Sequence, residues 1–326
     1  MSDAWRIVIR QNGGPEVLKR EPLILGEPAP GMVRVRVTAV GVNFIDTYHR
    51  SGLYPVAFPS GLGSEVAGVI ESLGTGVTDF NAGDRIAAIL QTPAGYATHV
   101  DIDAVTLVPL PDFLSDEVAA ATLLKGLTTW MLIEQCAKLT AGQSVLIYAA
   151  AGGVGSIAVP WAKAMGATVI AHAGTPAKAA RAKSSGADHA FCDNFEGLPA
   201  KVRSVTGNHG ADAILDGVGA ASWTASLGSV AKRGIIVSFG NASGAVPSVS
   251  PLDLTKAGSI FLTRPRLFDY TDTPERLSLA SARLFSLISD GIIGVEIGQR
   301  FSLADAAEAH RALESRQTVG STILIP

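Results

Sequence analysis

Residues 149–155, "AAAGGVG", combine the small side chains and the spacing with which a backbone grips a phosphate. They follow an apolar run, "SVLIYAA", and lead into "GSIAVPWAKAMG", so the order strand, glycine turn, helix is predicted, the setting a dinucleotide fingerprint requires. There Gly152 lets the main chain approach a pyrophosphate and Gly155 lets the helix pack on the strand, while the helix N-terminus offers unpaired N–H groups and a partial positive charge. Ala150 replaces the first glycine of GxGxxG, so the motif takes its meaning from its context; the plain alternative is a tight turn. A site preferring NAD usually ends its second strand on Asp or Glu, which binds the ribose hydroxyls. Here "TVIAHAGTPAK" supplies Gly174 and Thr175, with Lys178 just beyond. A lysine without an acid suits a 2′-phosphate, which predicts NADPH, although Lys178 also fits a solvated helix face. A second stretch, "GLGSEVAG" at 61–68, sets Glu65 among glycines and small apolar residues. A carboxylate so placed needs a charged or hydrogen-bonding partner if it is buried.

These residues need a scaffold, and the chain supplies two textures. The first part is β-rich: "MVRVRVTAVGVN", "VAGVIESLG", "RIAAIL" and "YATHVDI" alternate or run β-branched between Gly, Pro and Asp turn signals. From "SDEVAAATLLKGLTTWMLIEQCAKL" onward, with Ser115 as N-cap, helices enter. Strand then alternates with helix: "SVLIYAA", "TVIAHA", "HAFCD", "AILDGVG" and "GIIVSFGN" are the strands; "PAKAARAKSSG", "EGLPAKVRSVTG" and "ASWTASLGSVAKRG" are among the helices. This pattern predicts an α/β fold with a doubly wound parallel sheet. "GSIFLTRP" is expected to end that sheet. Amphipathic "PERLSLASARLFSLISDG" and "SLADAAEAHRALESR" then precede a closing strand, "GSTILIP". Pro160, well inside the helix after the glycine turn, is expected to kink it.

Composition narrows the function classes. The 326 residues exceed the usual span of one domain, and 47% apolar content with a mean hydropathy of +0.30 excludes a disordered chain. A net charge of −3 with scattered basic residues gives no footprint for nucleic acid. Cys136 and Cys192 form no CxxC pair, so neither a disulfide framework nor a cysteine-rich zinc site is expected, and a reducing cytoplasm fits best. No charged residue lies between Lys138 and Lys163, long enough for a membrane span, but Gly152, Gly153, Gly155 and Pro160 interrupt it. A buried parallel strand explains its apolar core better. The opening "MSDAWRIVIRQNGG" has charges inside its apolar run and lacks the core of a signal peptide.

With "GGPEVL", "GVNFIDTYHRSGLYP", "PSGLGSEVAG", "AGDR", "LKGLTT", "AAAGGVG", "VSFGNASGAV", "TRP" and "LESRQTVGSTILIP" in one order, the chain resembles, end to end, the zinc-independent quinone oxidoreductases, the ζ-crystallin-like branch of the medium-chain dehydrogenase/reductase superfamily. The resemblance implies a Rossmann dinucleotide-binding domain at 125–265 and a β-rich GroES-like catalytic domain at 1–124 and 266–326. Zinc-dependent relatives carry a ligand His where Ser64 stands and a ligand Cys where Asn43 stands, so no metal is expected. Glu65 remains, and a contact with Arg316 is expected for it, the alternative being a partly solvated structural Glu. The resemblance further implies that Asn43, Asp46 and Tyr48 lie beside the nicotinamide, with Thr128 and Thr129 approaching it. It places Gly153 and Val154 at the pyrophosphate, Gly174 and Lys178 at the 2′-phosphate, Phe239, Gly240 and Asn241 on the ribose and nicotinamide side, and Arg264 and Arg316 at the outer phosphate or cleft. Asn43 and Asp46 equally suit a turn cap. Where close relatives carry a tyrosine near the adenosine phosphate, "HAFCDNF" brings Asp193, an acid that would repel a 2′-phosphate and leave NADH as a second cofactor.

The activity so implied is reduction of a quinone or another conjugated carbonyl by hydride or single-electron transfer from the nicotinamide, in a homodimer joined at the "GSIFLTRP" edge. A quinone is already electrophilic and needs no metal to polarise it. Tyr48 and Tyr54 are the candidates for holding it. An enone or 2-alkenal reductase is the alternative on the same fold, and a redox-sensing or RNA-binding protein is the alternative from another class.

Overall fold

The computed structural model describes residues 4–315 and 318–326, so Arg316 lies outside the described residues. The chain divides into two compact units: Met1–Lys125 with Asp272–Ala282 and Val295–Pro326, and Gly126–Thr271 with Arg283–Gly294. The division differs from the expected one in its C-terminal part, because 266–271 and 283–294 group with the second unit. The cause is local. Arg283 Nε donates to Glu134 Oε1 at 2.9 Å, and the Leu284 side chain packs where a side chain at Gly126 would stand.

In the second unit six strands form a wholly parallel sheet in the spatial order His189–Phe191, Thr168–His172, Ser144–Ile147, Ala211–Asp216, Val230–Ser238, Phe261–Thr263. Numbered along the chain this is 3-2-1-4-5-6, the doubly wound order whose ligand crevice opens at the carboxyl ends of the strands. Val145, Leu146, Val169, Ile170, Ile214 and Ile236 are fully buried, as expected of strands covered on both faces. "GSIFLTRP" does supply the sheet's edge, at Phe261–Thr263. One expectation fails: the helix read through "ASWTASLGSVAKRG" stops at Ser229, and Val230 opens a strand. Val230 and Ala231 are fully buried, and Val230 pairs with Ala211, so β-branched packing begins before the Gly234 that looked like the turn. The helix Gly153–Ala164 is continuous through Pro160. Among the described residues no helix is long and apolar enough to cross a membrane.

The first unit is built on a seven-stranded sheet in which Met32–Val42 pairs antiparallel with Glu65–Leu73, His99–Asp103 and Ser321–Ile325. A three-stranded antiparallel sheet joins Lys19–Pro22, Trp5–Ile9 and Ser60–Gly61. The inward faces bury Ile7, Ile9, Val33, Val35, Val66, Ile70, Ile86 and Leu324 in one core. The strand Ile297–Ser302, parallel to Ser321–Ile325, was not expected; its residues alternate between half-buried and exposed, a weak apolar signal.

Candidate active site

In the first unit the chemistry-bearing residues gather around the helix Phe44–Ser51. Asn43 is its N-cap, in extended backbone conformation, and its N–H donates to Asp46 Oδ2 at 2.9 Å while the Asp46 N–H returns to Asn43 O at 3.0 Å. Asp46 is fully buried; Ser64 Oγ donates to Oδ1 at 2.8 Å and the Tyr96 hydroxyl to Oδ2 at 3.3 Å. Burial pushes its carboxyl up to about 6, with nearby Glu65 adding to the rise and the hydrogen bonds opposing it.

Behind Asp46 runs a buried polar chain. Tyr96 Oη lies 2.9 Å from His310 Nε2, and Arg50 Nη1 lies 2.9 Å from His310 Nδ1. A guanidinium only donates, so Nδ1 is an acceptor, the ring proton sits on Nε2 facing the Tyr96 oxygen, and the Tyr96 proton is directed to Asp46. Burial, with the Arg50 charge beside it, lowers His310 to about 3 and keeps the ring neutral. Arg50 is held in turn by a two-point pair with Glu314, at 2.6 and 3.1 Å, and by Gly13 O at 3.0 Å.

The contact expected with Arg316 lies outside the described residues, and among them Glu65 has partners of its own. It is fully buried, which removes the partly solvated alternative; Oε1 accepts from Leu124 N–H at 2.7 Å, and Oε2 accepts from Asn43 Nδ2 at 2.9 Å and lies 3.4 Å from Lys125 Nζ. Gly41 makes room for this carboxylate, since a Cβ there would collide with Glu65 Oε2 and with Ala120 O. Asn43 therefore links two buried carboxylates, Asp46 by its main chain and Glu65 by its side chain. Tyr48 and Tyr54 stand together, half-buried, with rings edge-on at 5.3 Å and the Tyr54 N–H donating to Tyr48 O at 3.1 Å. Exposed Phe44 lies 6.4 Å from Tyr48, ring to ring. Asp46, by contrast, faces inward with both oxygens occupied and presents no free surface to a ligand.

In the second unit the expected residues between Gly152 and Arg264 follow the carboxyl ends of the sheet strands. The turn after Ser144–Ile147 carries Ala149 at φ 49°, and the helix opens at Gly153 with Gly152 as N-cap. Gly153, Val154 and Gly155 thus form its first turn, where N–H groups have no partner within the helix. A Cβ on Gly155 would collide with Ala149 O and stand 2.6 Å from Ala150 Cα, so only glycine lets this turn close. Gly174 is exposed with open space where a Cβ would be. Thr175 caps the helix Pro176–Ser184 by accepting from Lys178 N–H at 3.3 Å, and burial lowers the ammonium of Lys178 from its ordinary range. Arg264 Nη1 donates to Ser238 Oγ at 3.2 Å and to Gly240 O at 3.0 Å. Oriented to satisfy its neighbours, the Asn241 amide accepts from Arg264 Nη2 at 3.0 Å and donates to Gly240 O at 2.9 Å. Phe239 N–H donates to Asp216 O at 2.8 Å. On the helix Asp116–Trp130, Thr128 is half-buried and Thr129 fully buried.

In the second unit three residues were missed. Asp216, fully buried, accepts from Val218 and Gly219 N–H and from the hydroxyls of Ser222 and Ser226, and so shapes the loop beneath Phe239. His172 stacks with Phe195 at 4.9 Å and places Nε2 2.9 Å from Asp193 O. Lys201 pairs with Asp193. An acid ending an apolar strand before "GVG", as in "AILDGVG", was the available signal for Asp216.

A 3-2-1-4-5-6 parallel sheet with a glycine turn at its first strand, joined in one chain to a β-rich unit, is the organisation of a nicotinamide-dependent medium-chain dehydrogenase/reductase. The Alcohol dehydrogenase GroES-like domain pattern matches residues 29–112, and the Zinc-binding dehydrogenase pattern matches residues 153–280. The Quinone oxidoreductase of Pseudomonas aeruginosa is 46% identical over 99% of this chain and 100% of its own. The 2-haloacrylate reductase of a Burkholderia species is 38% identical over 98% of both chains. The crystal structure of Escherichia coli quinone oxidoreductase complexed with NADPH is 42% identical and covers 99% of this chain and all of its own, with a TM-score of 0.95. The chain belongs to the quinone oxidoreductases, the zinc-independent branch of the medium-chain dehydrogenase/reductases. The zinc in the name of the second pattern does not fit the residues present. Asn43 Nδ2 and Ser64 Oγ both act as donors toward carboxylates, and among the described residues no cluster of three His, Cys, Asp or Glu is placed to hold a metal.

Proposed function

We propose that the chain is an NADPH:quinone oxidoreductase. The observation that carries this reading is the turn at 149–155, where Gly155 admits no side chain and the first helical turn offers its N–H groups; the relationship to quinone oxidoreductases at 46% identity supports it. When bound, NADPH supplies a hydride to the conjugated acceptor, which keeps both electrons and takes up a proton. This chain's residues bind and orient. Gly152, Gly153, Val154 and Gly155 hold the pyrophosphate; Gly174, Thr175 and Lys178 hold the adenosine ribose and its 2′-phosphate. Phe239, Gly240, Asn241 and Arg264, already tied to one another, hold the ribose on the nicotinamide side, with Thr128 and Thr129 at the nicotinamide and Arg316 at the outer phosphate. Tyr48 and Tyr54 receive the planar acceptor on adjacent rings. Asn43 and Asp46 position the helix that carries Tyr48, which replaces the direct nicotinamide contact expected of Asp46.

The Burkholderia relative named for 2-haloacrylate favours one second reading, reduction of a conjugated C=C. Initial-rate NADPH oxidation with 1,4-benzoquinone, beside a short 2-alkenal and after chelation, separates the two. Turnover with the quinone is expected, and turnover with the alkenal alone would move the enzyme to the enone reductases. We further infer a homodimer formed along Phe261–Thr263, supported by the open edge and by Phe261 at 62% exposure; light scattering at micromolar concentration tests it. A reducing cytoplasm suits the free Cys136 and exposed Cys192.

A further inference from the structure

We propose that Lys201 sets the dinucleotide preference of this chain by holding Asp193 neutralised beside the adenosine end of the cofactor; the inference rests on the NADPH reading above. In a doubly wound sheet the adenosine ribose lies past the carboxyl end of the second strand. That end is His172, from which the chain continues through Gly174 and Thr175 to Lys178. The third strand lies parallel against it with His172 opposite Phe191, so Asp193 leaves the sheet beside the same spot. Two contacts fix it there: Ala173 N–H donates to Phe191 O at 2.9 Å, and His172 Nε2 holds Asp193 O at 2.9 Å.

An isolated carboxylate at this position would repel a 2′-phosphate and accept from ribose hydroxyls, favouring NADH. It is not isolated. Lys201, from the helix Leu198–Val205, places its ammonium on Asp193 Oδ2 and 5.6 Å from the centre of the Phe191 ring. The lysine holds the carboxyl of Asp193 below the usual carboxylate range. An ammonium has three donors. One is used on Asp193, and the pair as a whole carries no net charge toward the phosphate that Lys178 receives. Both side chains are about two-fifths exposed, at 43% and 40%, so the pair adds little to stability and its substitution leaves the fold intact.

The test is equilibrium binding of NADPH and NADH, by nucleotide fluorescence, to the full chain and to Lys201→Met, Asp193→Asn and the double variant, with kcat and KM for each cofactor. Lys201→Met is expected to lower the NADPH:NADH affinity ratio about tenfold, the size of one unmasked charge near a phosphate at partial screening. The loss falls on NADPH, in KM and not in kcat, because the adenosine end is remote from the hydride. Asp193→Asn is expected to keep or raise the ratio, and the double variant to return within about threefold of the wild type, since Lys201 then has no acid to mask. An unchanged ratio in Lys201→Met, or equal losses for both cofactors, would overturn the inference. So would a double variant as impaired as Lys201→Met, which would make Lys201 a direct phosphate ligand. A wild type that binds neither cofactor would instead overturn the dinucleotide reading itself, and this inference with it.

Discussion

The two units use polar groups in opposite ways. Around the helix Phe44–Ser51 the side chains of Asp46, Glu65 and Arg50 are sealed in, and each is held by partners: Asp46 by Asn43, Ser64 and Tyr96; Glu65 by Asn43, Leu124 and Lys125; Arg50 by His310 and by Glu314, which reaches the surface. At the carboxyl ends of the parallel sheet the design is inverted, with a main chain stripped of side chains at Gly155 and Gly174 and helix N–H groups directed outward. On the function proposed above, the contrast teaches that the titratable residues which look most catalytic in the sequence serve to position. A sealed carboxylate needs its partners to stay buried at all, whereas a phosphate-binding turn needs room and unpaired donors.

Four predictions break or sharpen this contrast. The largest effect on binding is expected at the open site: Gly155→Val puts a branched side chain against Ala149 O and Ala150 Cα and should weaken NADPH binding more than about 100-fold, read by fluorescence titration. At the sealed site, Glu65→Leu leaves Lys125 buried without its carboxylate and should cost about 3 to 5 kcal/mol in urea unfolding. Adding Lys125→Met should restore most of that loss. If Glu65→Leu alone is neutral, the buried pair is not what holds this region.

The third prediction concerns pH. Burial and the Arg50 charge hold His310 down at about 3 in the folded chain against the ordinary imidazole value of about 6.5, so below pH 6.5 the unfolded chain binds the extra proton and stability falls as pH falls. Between pH 6.5 and 5 the wild type should therefore lose about 2 kcal/mol more than His310→Gln. Asp46 acts with the opposite sign. Raised to about 6 from 3.8, it binds its proton more tightly when folded, so its share of stability is full below pH 3.8 and is lost as pH rises through 6. Asp46→Asn should accordingly make the acid loss steeper. Chemical denaturation at half-unit pH steps reads both slopes. The smallest effect is expected from Thr175→Ala, which removes the cap of the helix Pro176–Ser184 and should cost about 1 kcal/mol while leaving the sealed cluster untouched.

Much of the fold was legible because buried parallel strands announce themselves as short apolar runs: "SVLIYAA" and "TVIAHA" became Ser144–Ile147 and Thr168–His172, and Ser115 does cap its helix, accepting from Val118 N–H at 3.3 Å. Ile297–Ser302 escaped because only every second residue is half-buried, too little apolar contrast to stand out from a loop. The glycine turn was legible residue by residue, since Gly155 has a steric reason that local sequence can carry. The partner of Glu65 was not. Lys125 lies 60 residues away, and no spacing rule connects a strand to a helix of the same unit at that separation. The same holds for the chain from Asp46 through Tyr96 to His310, which joins residues up to 214 positions apart. Asp193 was read as an unopposed acid because its counter-charge, Lys201, sits on the next helix, where a lysine looks like ordinary solvated surface.

The central claim, that the open turn serves a nicotinamide cofactor while the sealed cluster only positions the acceptor face, is tested most directly by one assay. Initial rates of NADPH and NADH oxidation with 1,4-benzoquinone would be measured for chelated wild-type protein, Gly155→Val and Asp46→Asn. The account predicts turnover in the wild type with NADPH preferred, its loss through cofactor KM in Gly155→Val, and turnover within about tenfold of wild type in Asp46→Asn, as suits a group that acts through its neighbours. Abolished turnover in Asp46→Asn with stability and cofactor binding intact would contradict it, and would return Asp46 to the reacting atoms.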